Sequence, residues 1–176
     1  MPYLLDADVF IEAKDRHYGF DFCPAFWDWL IERNGAGLVF SVEKVAEDIQ
    51  KGNDDLATWA AGLGPAFFLP AVNSVPASLS TLSTWATSRA YTQAAIAEFF
   101  GSSDYHLIGH GHAAGFTVVT HERSEPLRTG KIKIPDACAG VGVVCMTPYE
   151  MLRIEQARFV LGAAQPGAGQ PGQGAP

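Results

Sequence analysis

Two aspartates, Asp6 and Asp8, follow directly on the apolar run Tyr3–Leu5. A second polar cluster, Thr120, His121 and Glu122, closes and continues the run FTVVT at residues 116–120. Asp104 opens the segment that feeds that run, and Asp48 lies on a helix-patterned segment after Gly37–Phe40. Two carboxylates about 4 Å apart repel by roughly 4 kcal/mol at an effective dielectric near 20. Three or four gathered in one cleft therefore call for a cation, and an all-oxygen donor set suits Mg²⁺ or Mn²⁺. One or two such ions can lower the pKa of a water and clamp both oxygens of a phosphodiester displacement. Taken singly, each acid has a plainer use: Asp104 as a helix cap, Asp6 as a strand-end turn. The joint placement of Asp6, Asp104 and Glu122 is what points to a site.

The elements that must position these acids alternate. Tyr3–Leu5 reads as a short buried strand ending at Asp6, with further strands expected at Gly37–Phe40, Phe67–Leu69, Phe116–Thr120 and Val143–Met146; Lys131–Ile134 is ambiguous. Helices are expected over Pro24–Arg33, from the Ser41 cap through 42–51, and over Asp54–Gly62, Val75–Arg89 and Tyr91–Phe100. Others follow over Asp104–Ala114 behind a Ser103 cap, over Pro135–Gly140, and from the Thr147–Glu150 capping box onward to about Gly162. Such alternation predicts an α/β fold with a mostly parallel sheet covered on both faces. Ligands of such sheets sit beyond the carboxyl ends of the strands, where Asp6 and Thr120–Glu122 fall. On the third helix Val42, Val45, Ala46 and Ile49 form the apolar stripe; Asp48 borders it, while Glu47 lies nearly opposite beside Lys44, Glu43 and Lys51. Asp48 is thus the acid that can reach a site, and Glu47 the solvated one.

Twelve Lys and Arg against nineteen Asp and Glu give a net charge of −7 with no basic run, which argues against a general duplex coater or a membrane-surface binder. An acidic chain can still act on nucleic acid through cations that its acids hold. Apolar residues make up 48%, enough for one sizeable core, and the expected organisation is a folded unit over 1–162 with a Gly/Pro/Gln tail over 163–176. No apolar run approaches the roughly 20 residues that span a bilayer, and the N-terminus lacks a basic leader region, so a cytoplasmic protein is expected. The three cysteines, without a CxxC pair, fit a reducing compartment.

The ordered stretches LLDADVFIEA, DIQKGNDDL followed two residues later by Trp59, SDYHLIGHGHAAGFTVVTHE, and Ile134-Pro135-Asp136 with Cys138 together resemble the PIN-domain nucleases. The resemblance is nearest to a PIN-like subfamily of VapC-related, toxin-type proteins, and runs from Tyr3 to about Arg153. It implies a PIN-like three-layer fold with about five parallel strands and a Mg²⁺ or Mn²⁺ site built by acids. It also implies endoribonuclease activity, often as a toxin restrained by an antitoxin. Carried over, the four acids are Asp6, Asp48, Asp104 and Glu122. Three features depart from the family pattern: Asp8 stands where Asn is common, Asp48 where Glu is common, and His106 and His110 where apolar or small residues are usual.

Other residues are weighed against plainer roles. Thr120 is placed to support the acids with its hydroxyl, and His121 to touch substrate or to cap the strand. Asp136 reads equally as a helix-dipole partner and as a site acid. His106 and His110 share a helix face but lack the further ligands of a zinc site. Trp27, Trp29, Trp59 and Trp85 read as core or as a homodimer interface. Arg123, Arg128, Lys131 and Lys133 form the one local basic excess, either a solvated loop or a lip that guides RNA. Two alternatives to the nuclease stand beside it. Asp6 and Asp8 could be the nucleophile and acid/base of a haloacid-dehalogenase-type phosphotransferase, or the fold could serve as an inert PIN-like interaction protein.

Overall fold

The computed structural model describes residues 1–160. The expected tail over 163–176, and the boundary before it, lie outside the described residues. Five short strands form one parallel sheet: β1 (Tyr3–Leu5), β2 (Val39–Val42), β3 (Phe68–Leu69), β4 (Thr117–Val119) and β5 (Cys145–Met146), in the spatial order β3-β2-β1-β4-β5. The helices between them are α1 (Ala7–Glu12), α2 (Pro24–Gly35), α3 (Glu43–Gln50), α4 (Asp55–Leu63), α5 (Val75–Thr87), α6 (Gln93–Phe100), α7 (Ser103–Ala114), α8 (Ile134–Val141) and α9 (Pro148–Ile154). The chain is thus an α/β protein with a five-stranded parallel sheet between helical layers, the arrangement expected of a PIN-like three-layer fold. Among the described residues no helix is long and apolar enough to cross a membrane.

The strands are apolar on both faces because helices cover both. Leu4, Leu5, Val39, Val42, Val118 and Val119 are wholly buried. Leu5 pairs with Val119, and the ladder runs one step further, Asp6 N–H donating to the Val119 carbonyl at 3.0 Å and Thr120 N–H to that of Met146 at 3.1 Å. Asp6 and Thr120 therefore leave the sheet side by side at its carboxyl edge. The buried aromatic cluster of Phe10, Phe26, Trp27, Phe67 and Phe68 fills the core, with Trp29 buried and Trp59 and Trp85 partly so. The tryptophans are core residues.

Four elements differ from the sequence-based expectation. Six residues immediately after Asp6 form α1, which the DxD spacing concealed; Asp6 is its cap, its Oδ1 accepting from Ala7 N–H at 2.6 Å. Gly37 does not begin a strand: at φ +75° it makes the turn after α2, so β2 starts at Val39. Ser41 lies inside β2 rather than capping α3, and its hydroxyl donates to the Leu5 carbonyl at 2.6 Å, tying β2 to β1 in a wholly buried position. The last helix ends at Ile154, not near Gly162. Gln156 takes φ +52°, Ala157 N–H bonds back to the Leu152 carbonyl at 2.9 Å, and the reversed chain lays Phe159 against Tyr18, Phe26 and Trp29. Burial of that ring outweighs continued helix.

Helix α8 is seated on α5 through a contact that only glycine permits: a Cβ on Gly140 would overlap the Trp85 indole. Gly140→Ala should lower stability by about 1–3 kcal/mol. Adding Trp85→Leu should restore most of that loss. Equal melting temperatures for wild type and Gly140→Ala would show that the indole moves aside freely.

Candidate functional site

The sheet edge sets Asp6 beside Thr120, and α1 then returns Asp8 to the same place. The Thr120 hydroxyl stands 3.0 Å from Asp6 Oδ2 and 3.1 Å from Asp8 Oδ2, and accepts from Glu122 N–H at 3.1 Å. His121 N–H donates to the Asp8 carboxylate at 3.1 Å. Asp6 and Thr120 are 4% and 1% exposed. One hydroxyl proton cannot serve two carboxylates at once, so one of the pair is always short of a donor. The Asp6 carboxyl is accordingly held well above its usual range, first by burial and then by the charges of Asp8 and Asp104, with Asp8 also accepting its proton.

Asp104 arrives from the first turn of α7. Burial, then the charge of Glu122, pushes its carboxyl from 3.8 to about 6, against the opposing pull of Lys131 and with Asp8 and Asp48 adding to the rise. Asp6, Asp8, Glu12, Asp104, Glu122 and Lys131 line one cleft of about 290 Å³. Glu12 is an addition to the expected set, and Lys131 comes from the basic stretch read either as a solvated loop or as an RNA-guiding lip. Glu12 is four residues after Asp8 on α1, hence on its face, and was missed because α1 was. Lys131 and Lys133 alternate with the buried Ile132 and Ile134, a period of two that turns both lysines to the same side.

The placement of the other expected residues is less uniform. Glu122 enters the cleft but is already engaged: Lys133 Nζ donates to its Oε1 at 2.7 Å and Ile134 N–H, at the start of α8, to its Oε2 at 2.9 Å. Asp48 does not line this cleft. It bonds Lys51 at 2.6 Å and lines an adjoining one of about 240 Å³, shared with Asp104, Lys131 and Ser103. Burial pushes the Asp48 carboxyl up, but bonds from Lys51 and Ser103 outweigh this and hold it below its usual value. Glu47 pairs with Lys44 on the exposed side of α3. Asp136 reaches neither cleft: it bonds the Ser124 hydroxyl and accepts from Glu125 N–H at 2.9 Å, tying down the loop after β4. In that loop Arg128 pairs with Glu125. His106 and His110 share a face of α7, where burial lowers the pKa of both.

The donor set around the first cleft is all oxygen and lies at helix N-termini, α1 for Asp6 and Asp8 and α7 for Asp104, where local dipoles favour negative charge. Among the described residues, no three His, Cys, Asp or Glu side chains are close enough together to grip one ion. Asp6 and Asp8 meet at the Thr120 hydroxyl, and Asp104 and Glu122 face them across the cleft. Asp6, Asp8 and Asp104 fit a hard divalent cation in kind; Glu122 would first have to leave Lys133.

Comparison with known proteins adds one finding. A family model described as Domain of unknown function (DUF4411) matches residues 3–159. The chain belongs to the DUF4411 family. No curated protein and no solved structure matches it. The DUF4411 match takes in every acid of both clefts.

Because Asp104 titrates higher in the folded chain than its ordinary 3.8, its contribution to stability is present below that value and is lost as pH rises through about 6. Asp104→Asn should therefore match wild type near pH 4 in EDTA and exceed it at pH 8 by on the order of 2 kcal/mol. Thermal unfolding at the two pH values checks this. A difference independent of pH would contradict the assignment.

Proposed function

We propose that this chain is a metal-dependent endoribonuclease of the PIN type, using Mg²⁺ or Mn²⁺ in the cytoplasm, as the toxin-type partner of a protein antitoxin. One observation carries the reading. Acids from three segments distant in sequence, Asp6 with Asp8, Asp104, and Glu122, meet at the carboxyl edge of a parallel sheet around a single cleft. No described Lys or Arg pairs with Asp6, Asp8 or Asp104 within 4.0 Å. Buried carboxylates of this kind are stable together only as shared-proton acids or around a cation.

The bound ion would supply a water of lowered pKa and neutralise charge on the phosphodiester. The chain's own groups supply the rest. Asp6, Asp8 and Asp104 hold the ion. Thr120 fixes the first two from behind, and its own orientation is held by Glu122 N–H. The Glu122 carboxylate, bound to Lys133 and Ile134 N–H, closes the loop that carries Lys131 over the cleft. Lys131 is the cation placed to meet a substrate phosphate. Asp48 acts from the adjoining cleft, through the charge it sets on Asp104.

Asp6→Asn should reduce Mn²⁺-dependent RNA cleavage by at least roughly 100-fold while the variant melts no lower than wild type, since one charge leaves a crowded acid cluster. EDTA should abolish cleavage by wild type. Because Asp6 and Asp104 must lose protons before they can bind an ion, cleavage should rise with pH through about 6. Cleavage undiminished in Asp6→Asn, or insensitive to EDTA, would refute the reading.

A second reading rests on Thr120, whose hydroxyl stands between Asp6 and Asp8 with Lys131 on the same cleft, the residue types a phosphoaspartate-forming phosphotransferase needs. In that reading Asp6 would attack phosphorus through one carboxylate oxygen, while Ala7 N–H at Oδ1 and Thr120 at Oδ2 orient it. Hydrolysis of p-nitrophenyl phosphate without RNA cleavage would favour it.

A further inference from the structure

The acidic cleft opens beside a second feature that its acids do not use. Helix α1 does not end at Glu12 but widens into a π-helical turn over Ala13–His17, with Tyr18 N–H bonded to the Ala13 carbonyl. Such turns are rare and swing side chains out of helical register. Here the turn delivers His17 to two rings from elsewhere in the chain, His121 from the loop after β4 and Tyr149 from α9. The three ring centres stand 5.6–5.8 Å apart, and the Tyr149 hydroxyl lies 3.0 Å from His17 Nε2. This trio is not core: Tyr149 is 38% exposed, and both histidines are partly so. It touches the acidic cleft directly, because His121 N–H is bonded to Asp8, and His17 Nε2 lies 3.9 Å from Glu12.

On its other side Tyr149 lines a cavity of about 710 Å³, together with Tyr18, Arg153, Gln156, Arg158 and Phe159. Among the described residues no carboxylate lines it. Among the described residues neither arginine is in an ion pair within 4.0 Å. In a chain of net charge −7 with twelve Lys and Arg, Arg153 and Arg158 are the charged side chains among the described residues that line this cavity. Exposed rings offer a face to an unpaired base, and guanidinium groups bind phosphate in bidentate fashion.

We infer that the His17–His121–Tyr149 trio and the Arg153/Arg158 cavity form a binding subsite for single-stranded RNA, taking the nucleotides that flank the phosphodiester held at the acidic cleft. The inference rests on the nuclease reading for its location, but the binding it describes needs no metal. A flanking base stacks on the exposed trio, and the next phosphate along the strand meets Arg153 and Arg158. The strand thereby runs from Lys131, across the acids, to the arginines. A duplex buries its base faces and cannot use the rings, so the subsite selects unpaired RNA.

The test is fluorescence anisotropy of a labelled 12-nucleotide single-stranded RNA with the full chain in EDTA, alongside Mn²⁺-dependent cleavage of the same RNA. Tyr149→Ala, and separately the double variant Arg153→Gln/Arg158→Gln, should each weaken binding roughly tenfold. Tyr149→Phe should keep most of it. Lys44→Gln, which removes one exposed charge on α3 far from these rings in the chain, should bind like wild type, and the same RNA as a duplex should bind more weakly than the single strand. Melting curves exclude unfolding of Tyr149→Ala, and the arginine variant tests the same subsite through exposed residues. Unchanged affinity in both variants, equal weakening by Lys44→Gln, or a preference for duplex would overturn the subsite, whether or not wild type cleaves. Binding lost in the variants while wild type cuts nothing with Mn²⁺ would sustain the subsite and sink the nuclease reading.

Discussion

The Asp6 carboxyl is buried between parallel strands, and the architecture around it follows from the need to compensate that charge. A carboxylate taken out of water costs several kcal/mol unless donors or a counter-charge replace the solvent. At Asp6 the replacements are the Ala7 N–H at the start of α1 and the Thr120 hydroxyl from the neighbouring strand. Both depend on topology. Thr120 is within reach because β4 lies beside β1 with Leu5 opposite Val119. The donors still fall short of the acids, since Asp8 competes for the same hydroxyl and Asp104 closes in from α7. The remaining imbalance is what a proton, or a divalent cation, removes.

This view separates acids that share a problem from acids that merely share a neighbourhood. Asp6, Asp8 and Asp104 have no cationic partner within 4.0 Å among the described residues. Glu122 has two good donors, and holding Lys133 and the first turn of α8 gives the loop after β4 a defined course. Asp48 is satisfied by Lys51 and Ser103 and influences the site through Asp104. Lys131 borders both clefts, so its ammonium is the positive charge common to both.

Much of the fold was legible in the sequence because parallel strands buried on both faces leave continuous apolar runs, and helices end at caps and glycines. Tyr3–Leu5 and FTVVT fell where the strands lie, and the acids after them came to the carboxyl edge. What was hidden depended on contacts between distant segments. Ser41 has the residue type of a cap, but its hydroxyl is taken by the Leu5 carbonyl of the adjacent strand. Helix α1 is too short to show a period, and with it went Glu12. The last helix carries helical residues to Gly162 yet stops at Ile154 because Phe159 finds an aromatic pocket. Asp48 borders the apolar stripe as expected, and its pairing with Lys51 three residues on is a local one, but no pattern within α3 could show that Ser103 would join it in the adjoining cleft. The aromatic trio joins residues 17, 121 and 149, a juxtaposition with no local signature.

The central claim is that the charge imbalance around Asp6 is the affinity of the site for a divalent ion. Titration calorimetry of Mn²⁺ into wild-type protein at pH 6, repeated in buffers of different ionisation enthalpy, measures it directly. The account predicts one binding event accompanied by net release of about one proton, because carboxyls held protonated by burial must ionise to bind. Heat with no buffer dependence, or no saturable binding, would contradict it.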